Sequence, residues 1–177
     1  MVKSHCLGEC KTAPVLPLQA PSLQALRRFC GILSHGIRVV LVDLDDRRDC
    51  ASFKNELSQL LSYCPQQPKA LFRIAIEELE AWFLGDQEAI KQAYPHAKQQ
   101  VLDAYVQDSQ CGTWEKLADA IYPGGLTALG QHGKRSVRIL EQKRIWAKEI
   151  SPLLDVQTNQ SPSFKAFRDG VRRMASV

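Results

Sequence analysis

Two short apolar runs, residues 37–42 (IRVVLV) and 70–76 (ALFRIAI), stand on either side of a single amphipathic stretch. Runs this short and continuous suit strands covered on both faces, as parallel strands are. Between them Phe53, Leu57, Leu60, Leu61 and Cys64 recur every three or four residues, which predicts a helix over residues 51–63. Strand, helix, strand is the α/β unit, so parallel pairing through a right-handed crossover is expected. The second run leads straight into an acidic helix, EELEAWFLGD, with Trp82, Phe83 and Leu84 as core candidates. Beyond Gly85 the pattern is helical, at residues 87–93, 114–121, 137–150 and 163–175, with Trp114 and Trp146 also expected inside. The last of these puts Phe164, Phe167, Val171 and Met174 on one face, and NQSPSF before it offers Ser161 and Ser163 as capping hydroxyls. YPGGL supplies a helix stop at Gly124 or Gly125. The expected fold class is α/β, a reduced parallel sheet followed by a mostly helical C-terminal half.

A chain of 177 residues, 45% hydrophobic and 24% charged, is long enough for a sizeable core and is not of disordered composition. Residues 1–21 carry three prolines and no period, so they read as a loose arm, and residues 22–177 as one domain. Ser22 is placed to cap a helix through Leu23, Leu26, Cys30 and Leu33 that ends near Gly36. No window nears 18 uninterrupted apolar residues, and the N-terminus has no apolar core of signal-peptide length, so no membrane association and a cytoplasmic location are expected. The six cysteines are scattered, which favours reduced thiols over a disulfide framework. Cys6 and Cys10 with His5 have no second ligand pair at zinc spacing.

The first apolar run ends in four carboxylates, Asp43, Asp45, Asp46 and Asp49, within seven positions. On an extended chain Asp43 and Asp45 share a face while Leu44 turns to the core. Two carboxylates about 4 Å apart repel by roughly 4 kcal/mol at an effective dielectric of about 20 unless a proton or cation lies between them. Hard oxygen donors suit Mg²⁺ or Mn²⁺, and the C-terminal edge of a parallel sheet is where α/β folds place ligands. Asp49 fits the N-terminus of the following helix, and Asp46 an outer position. Glu77, Glu78 and Glu80 follow the second strand at the same expected edge, with Glu77 and Glu80 on one helix face. The alternative for all these acids is ordinary capping of helix dipoles.

The net charge of +4 is unevenly spread. Residues 77–88 hold five acids and no base, whereas Lys134, Arg135, Arg138, Lys143, Arg144 and Lys148 face a single acid, Glu141. The basic segment is the candidate nucleic-acid contact, through Lys134, Arg135, Arg138, Lys143 and Arg144, and a solvated helix face is the plainer reading.

In their order and spacing, VVLVDLDD, RIAIEELEAWFLGD, GTWEKL, YPGGL and NQSPSFKAFRDGV resemble the bacterial Toprim-like proteins of domain-of-unknown-function family 4276. The likeness covers about residues 37–171, and EELEAW is its most specific block. It implies a Toprim-like Rossmannoid sheet, Mg²⁺-dependent phosphodiester hydrolysis, and Asp43 and Asp45 as the metal-holding DxD pair. Glu77 is then the candidate third ligand, with Glu77 and Glu80 as candidate catalytic acids. Members of the family are often encoded beside AAA-type ATPases in phage-defence loci, which implies an effector subunit with an ATPase partner. One departure is plain: the family opens with a strand ending in an E-G-x-[ST]-E motif, and Glu9 in LGEC follows no apolar strand. The sheet is thus expected to be N-terminally reduced.

Three functions compete on these residues: a metal-dependent nuclease; a catalytically impaired partner that docks on an ATPase or nucleic acid; and an aspartyl phosphotransferase. The last wants DxDG[TS] near the chain start, where this sequence has Asp46-Arg47 after the DxD.

Overall fold

The computed structural model describes residues 38–47, 49–64, 69–109, 112–131, 133 and 136–176. The expected N-terminal arm, the helix ending near Gly36, the His5, Cys6 and Cys10 trio, Lys134 and Arg135 lie outside these residues. The fold is mixed α/β and mostly helical. Strands β1 (Arg38–Asp43) and β2 (Ala70–Ala75) form a two-stranded parallel sheet, and Arg38 N–H donates to the Lys69 carbonyl at 3.0 Å. Helix α1 (Cys50–Leu60), tightened into a 3₁₀ turn at Leu61–Tyr63, makes the connection. Each strand lies within a residue of its expected bounds.

By its contacts the chain divides into two compact units, Met1–Ile74 with Ala166–Val177, and Ala75–Lys165. In the first, Asp49 caps α1 as expected: its carboxylate accepts Ala51 N–H at 2.9 Å and Ser52 N–H at 3.1 Å. The helix buries Phe53 and Leu57. The C-terminal helix, Pro162–Ala175, has its later turns in this unit, where Gly170 meets β2. A Cβ there would lie 2.5 Å from Arg73 Nη2 and 2.8 Å from Leu71 Cδ2, so a larger residue would push these side-chain ends aside. Cys64 is disulfide-bonded and Cys50 is a free thiol, where reduced thiols were expected over a disulfide framework.

The second unit is a helical assembly: α2 (Glu80–Leu84), α3 (Gln87–Ala93), α4 (Gln99–Asp103), α5 (Thr113–Ile121), α6 (Gly125–Gly130), α7 (Val137–Ile150) and the first turn of α8 (Pro162–Ala175). The spacing missed α4 and α6, which are too short to show a period. Ile90, Leu102, Leu117, Leu129, Trp146 and Ile150 are fully buried in one cluster that also takes in Phe83, Leu84 and Trp114. Each such side chain contributes about 1.5–3 kcal/mol by leaving water. The NQSPSF segment is pinned to α2, because Asn159 Nδ2 donates to the Trp82 carbonyl at 2.8 Å and Trp82 Nε1 donates to Ser163 Oγ at 2.9 Å. Ser161 caps α8 through Oγ, which accepts Phe164 N–H at 3.1 Å. Among the described residues no helix is long and apolar enough to cross a membrane.

Candidate functional site

Strand β1 ends at Asp43, one position before the buried Leu44. The chain then turns, with Arg47 N–H donating to the Leu44 carbonyl at 3.2 Å, and Asp45 takes a left-handed backbone at φ 51. The extended geometry expected through Asp45 therefore stops two residues early, though Leu44 does face inward as expected. Asp43 is half-buried at the strand tip, while Asp45 and Asp46 are exposed. The Arg47 guanidinium pairs with Glu56 at 3.2 Å and lies 4.0 Å over the Phe53 ring. Asp43 and Asp45 thus flank buried Leu44 at the C-terminal end of a strand in a parallel pair.

Asp43 and Asp45 belong to the first unit, Glu77 and Glu80 to the second. Glu77 lies ahead of the helix rather than in its first turn. It sits at the centre of a three-residue turn, at φ 62, closed by Glu78 N–H donating to the Ile76 carbonyl at 3.0 Å. Its carboxylate accepts Gly112 N–H at 2.8 and 3.1 Å and Thr113 N–H at 2.8 Å. Gly112 precedes α5 and has no side chain to cap it, so Glu77 supplies the cap from elsewhere in the chain. Both oxygens are engaged in that task.

Glu80 points elsewhere, so the shared helix face expected for Glu77 and Glu80 is not formed. It is 4% exposed, and Lys143 Nζ lies 3.4 Å from its Oε1 and 3.0 Å from Glu78 Oε2. Burial pushes the Glu80 carboxyl up to about 7, against the pull of Lys143 and with a further push from Glu78. Burial acts to lower the Lys143 ammonium, but Glu80 and Glu78 together outweigh it and raise its pKa. The Glu78 approach is the closer of the two, and Glu78 Oε2 is buried against that ammonium.

The described residues of the basic segment differ in their surroundings. Lys143 is committed to Glu78 and Glu80, and Arg138 donates to Tyr122 Oη at 3.3 Å. Arg144 and Lys148 are exposed on α7 among the exposed apolar residues Val137, Leu140 and Ile145. The Lys143 pairing had a signal in the sequence: Ile139, Lys143, Trp146 and Ile150 follow helical spacing, which sets Lys143 on the buried seam.

Of the acids singled out, Asp43 and Asp45 are the pair whose chemistry fits a hard divalent cation, which keeps several waters and needs one or two carboxylates. Among the described residues no group of three or more His, Cys, Asp or Glu side chains gathers as a metal site. Compared with known proteins, the chain matches no family model, no curated protein and no solved structure.

Proposed function

We propose that this chain is a Toprim-like, Mg²⁺-dependent phosphodiester-handling protein, a nuclease subunit that holds its metal through Asp43 and Asp45. The observation that carries this reading is the pair of carboxylates flanking buried Leu44 at the end of a parallel strand. Leu44 anchors the turn in the core, so the two carboxylates are presented by a fixed backbone rather than by a loose loop. A bound divalent ion would supply Lewis-acid polarisation of a phosphate oxygen and a more acidic water. Half-buried Asp43 and exposed Asp45 are the residues that would hold the cation.

A second reading is favoured by Glu77, whose two oxygens are occupied by backbone amides of Gly112 and Thr113. With that acid engaged in capping α5, the chain is a catalytically impaired partner that keeps an acidic strand tip and acts by docking, for example on an AAA-type ATPase in a phage-defence assembly. Mn²⁺ titration calorimetry on the wild type and Asp43→Ala, with a plasmid-nicking assay on both, separates the possibilities. Heats present in the wild type and lost in the variant support the metal site, and nicking that follows them supports the nuclease. Equal heats from both proteins would remove the site, and metal binding without nicking would favour the docking partner.

A further inference from the structure

Helix α7 carries two unlike faces. Ile139, Trp146 and Ile150 are buried and set the helix into the core of the helical unit, with Lys143 on the same seam. Opposite that seam lie Val137, Leu140, Glu141, Arg144, Ile145 and Lys148, all exposed, and at 3.6 residues per turn they fall within about 140° of arc. Val137 is 70% exposed, Leu140 55% and Ile145 44%. Single exposed apolar side chains are ordinary on a protein surface and need no explanation. Three on one face of a helix whose other side is fixed in a core form a contact stripe.

The order of charges on that stripe points to its occupant. A polyanion is met by bases alone, whereas here an acid, Glu141, stands among the apolar residues and beside Arg144. A twofold axis at the level midway between Gln142 and Lys143 pairs the helix with an antiparallel copy of itself. Glu141 then comes level with the second copy's Arg144, Leu140 with its Ile145, and Val137 with its Lys148. Each relation occurs twice. Opposite charges meet as two equivalent pairs, Leu140 and Ile145 at the two edges of the face shield them from water, and the Lys148 stem covers Val137. A parallel pairing would set Glu141 against Glu141 and Arg144 against Arg144, so the charges favour the antiparallel one.

We propose that this face of α7 is a self-association surface through which two copies of the chain pair antiparallel, with Glu141 and Arg144 exchanged across the twofold axis. The inference is independent of the metal site. A single helix pair is small beside the roughly 1,200–2,000 Å² of a stable interface, so the expected dimer is of micromolar order. Sedimentation velocity on the full chain from about 1 to about 300 µM tests it, with a non-reducing gel in parallel because Cys50 is an exposed free thiol. The wild type should pass from monomer to dimer across the series. Leu140→Glu should weaken pairing about tenfold or more and leave the thermal midpoint of the dilute protein unchanged, since the side chain it replaces is exposed. Glu141→Arg and Arg144→Glu should each weaken pairing when alone, by setting like charges opposite one another, and an equimolar mixture of the two single variants should pair again as a heterodimer. That rescue cannot come from charge pairing within one helix. A wild type that stays monomeric at every concentration would overturn the proposal, whatever else covers the face. So would a dimer indifferent to Leu140→Glu and to both reversals, a mixture no better paired than either variant alone, or a dimer present only as a Cys50-linked species.

Discussion

Lys143 Nζ on α7 lies 3.4 Å from Oε1 of the buried Glu80 on α2. The same ammonium lies 3.0 Å from Glu78, so one cation answers two carboxylates. Removing it leaves buried negative charge uncompensated, which costs about 3–5 kcal/mol. Lys143→Met keeps the stem's bulk and should lose stability on that scale in urea unfolding at pH 8. A loss under about 1 kcal/mol would mean that the pair is solvated and weak.

The imbalance of charge around Lys143 also sets a pH dependence. Glu80 has its carboxyl raised from 4.5 to about 7, so between those values the folded protein holds a proton that the unfolded chain has released. The stability linked to that proton is fully present below about pH 4.5 and is lost as pH rises through about 7, a change of a few kcal/mol. Glu80→Gln, which mimics the protonated form, should flatten stability between pH 5 and 7.5 while Lys143 stays paired with Glu78. A wild-type profile already flat across that window would show that Glu80 is ionised throughout.

Glu77 combines a left-handed backbone with a carboxylate that caps α5, and its variants separate the two contributions. Glu77→Ala loses the cap and keeps the strain, at a cost of about 1–2 kcal/mol for the cap. Glu77→Gly also loses the cap but relieves the backbone, recovering about 1 kcal/mol. The expected order of unfolding midpoints is wild type, then glycine, then alanine. An alanine variant as stable as the wild type would release Glu77 from its capping role and return it to consideration as a metal ligand.

Gly85 sits where NQSPSF returns to α2. A Cβ there would lie 2.3 Å from Asn159 Oδ1 and 2.9 Å from Ser161 N, and Gln160 N–H donates to the Gly85 carbonyl at 2.7 Å. The Asn159 side chain can swing aside, but the Ser161 backbone cannot do so cheaply. Gly85→Ala should cost about 1–3 kcal/mol, with Asn159→Ala in the same chain costing less than the sum of the two single changes. Strict additivity in thermal unfolding would show that the two sites do not touch.

The elements were legible where a period was long enough to see. The β-branched runs, the heptad-like α1 and the apolar seams of α7 and α8 stand in the structure within one to three residues of their expected ends. Local chemistry was legible too, since Asp49 caps the helix it precedes and Leu44 turns inward. What depends on distant segments was not. Glu77 bonds Gly112 and Thr113 some 35 positions away, and nothing around Glu77 announces that partner. Lys143 looked like one of a basic run because charge was counted along the chain, whereas its fate is fixed by the helical face it shares with Trp146. The acids after β2 looked convergent because the helix was expected to start at once, and the turn at Glu77 sends its side chain and that of Glu80 to different partners.

Asp45 offers the sharpest test of whether the strand tip is a functional device. At φ 51 Asp45 takes a left-handed backbone that glycine adopts freely and that Asp and Asn tolerate better than other side chains. Asp45→Gly relieves that backbone and removes the carboxylate, so the protein should gain up to about 1 kcal/mol while Mn²⁺ heats disappear. Asp45→Asn tolerates the same backbone and removes only the charge, so it should be near wild type in stability and equally blind to metal. Unfolding midpoints and calorimetry on the three proteins give four independent comparisons. Gain of stability with loss of metal binding would identify Asp45 as a residue kept for its chemistry. A glycine variant that is more stable and still binds Mn²⁺ as well as the wild type would leave Asp45 a turn residue and take the metal away from this tip.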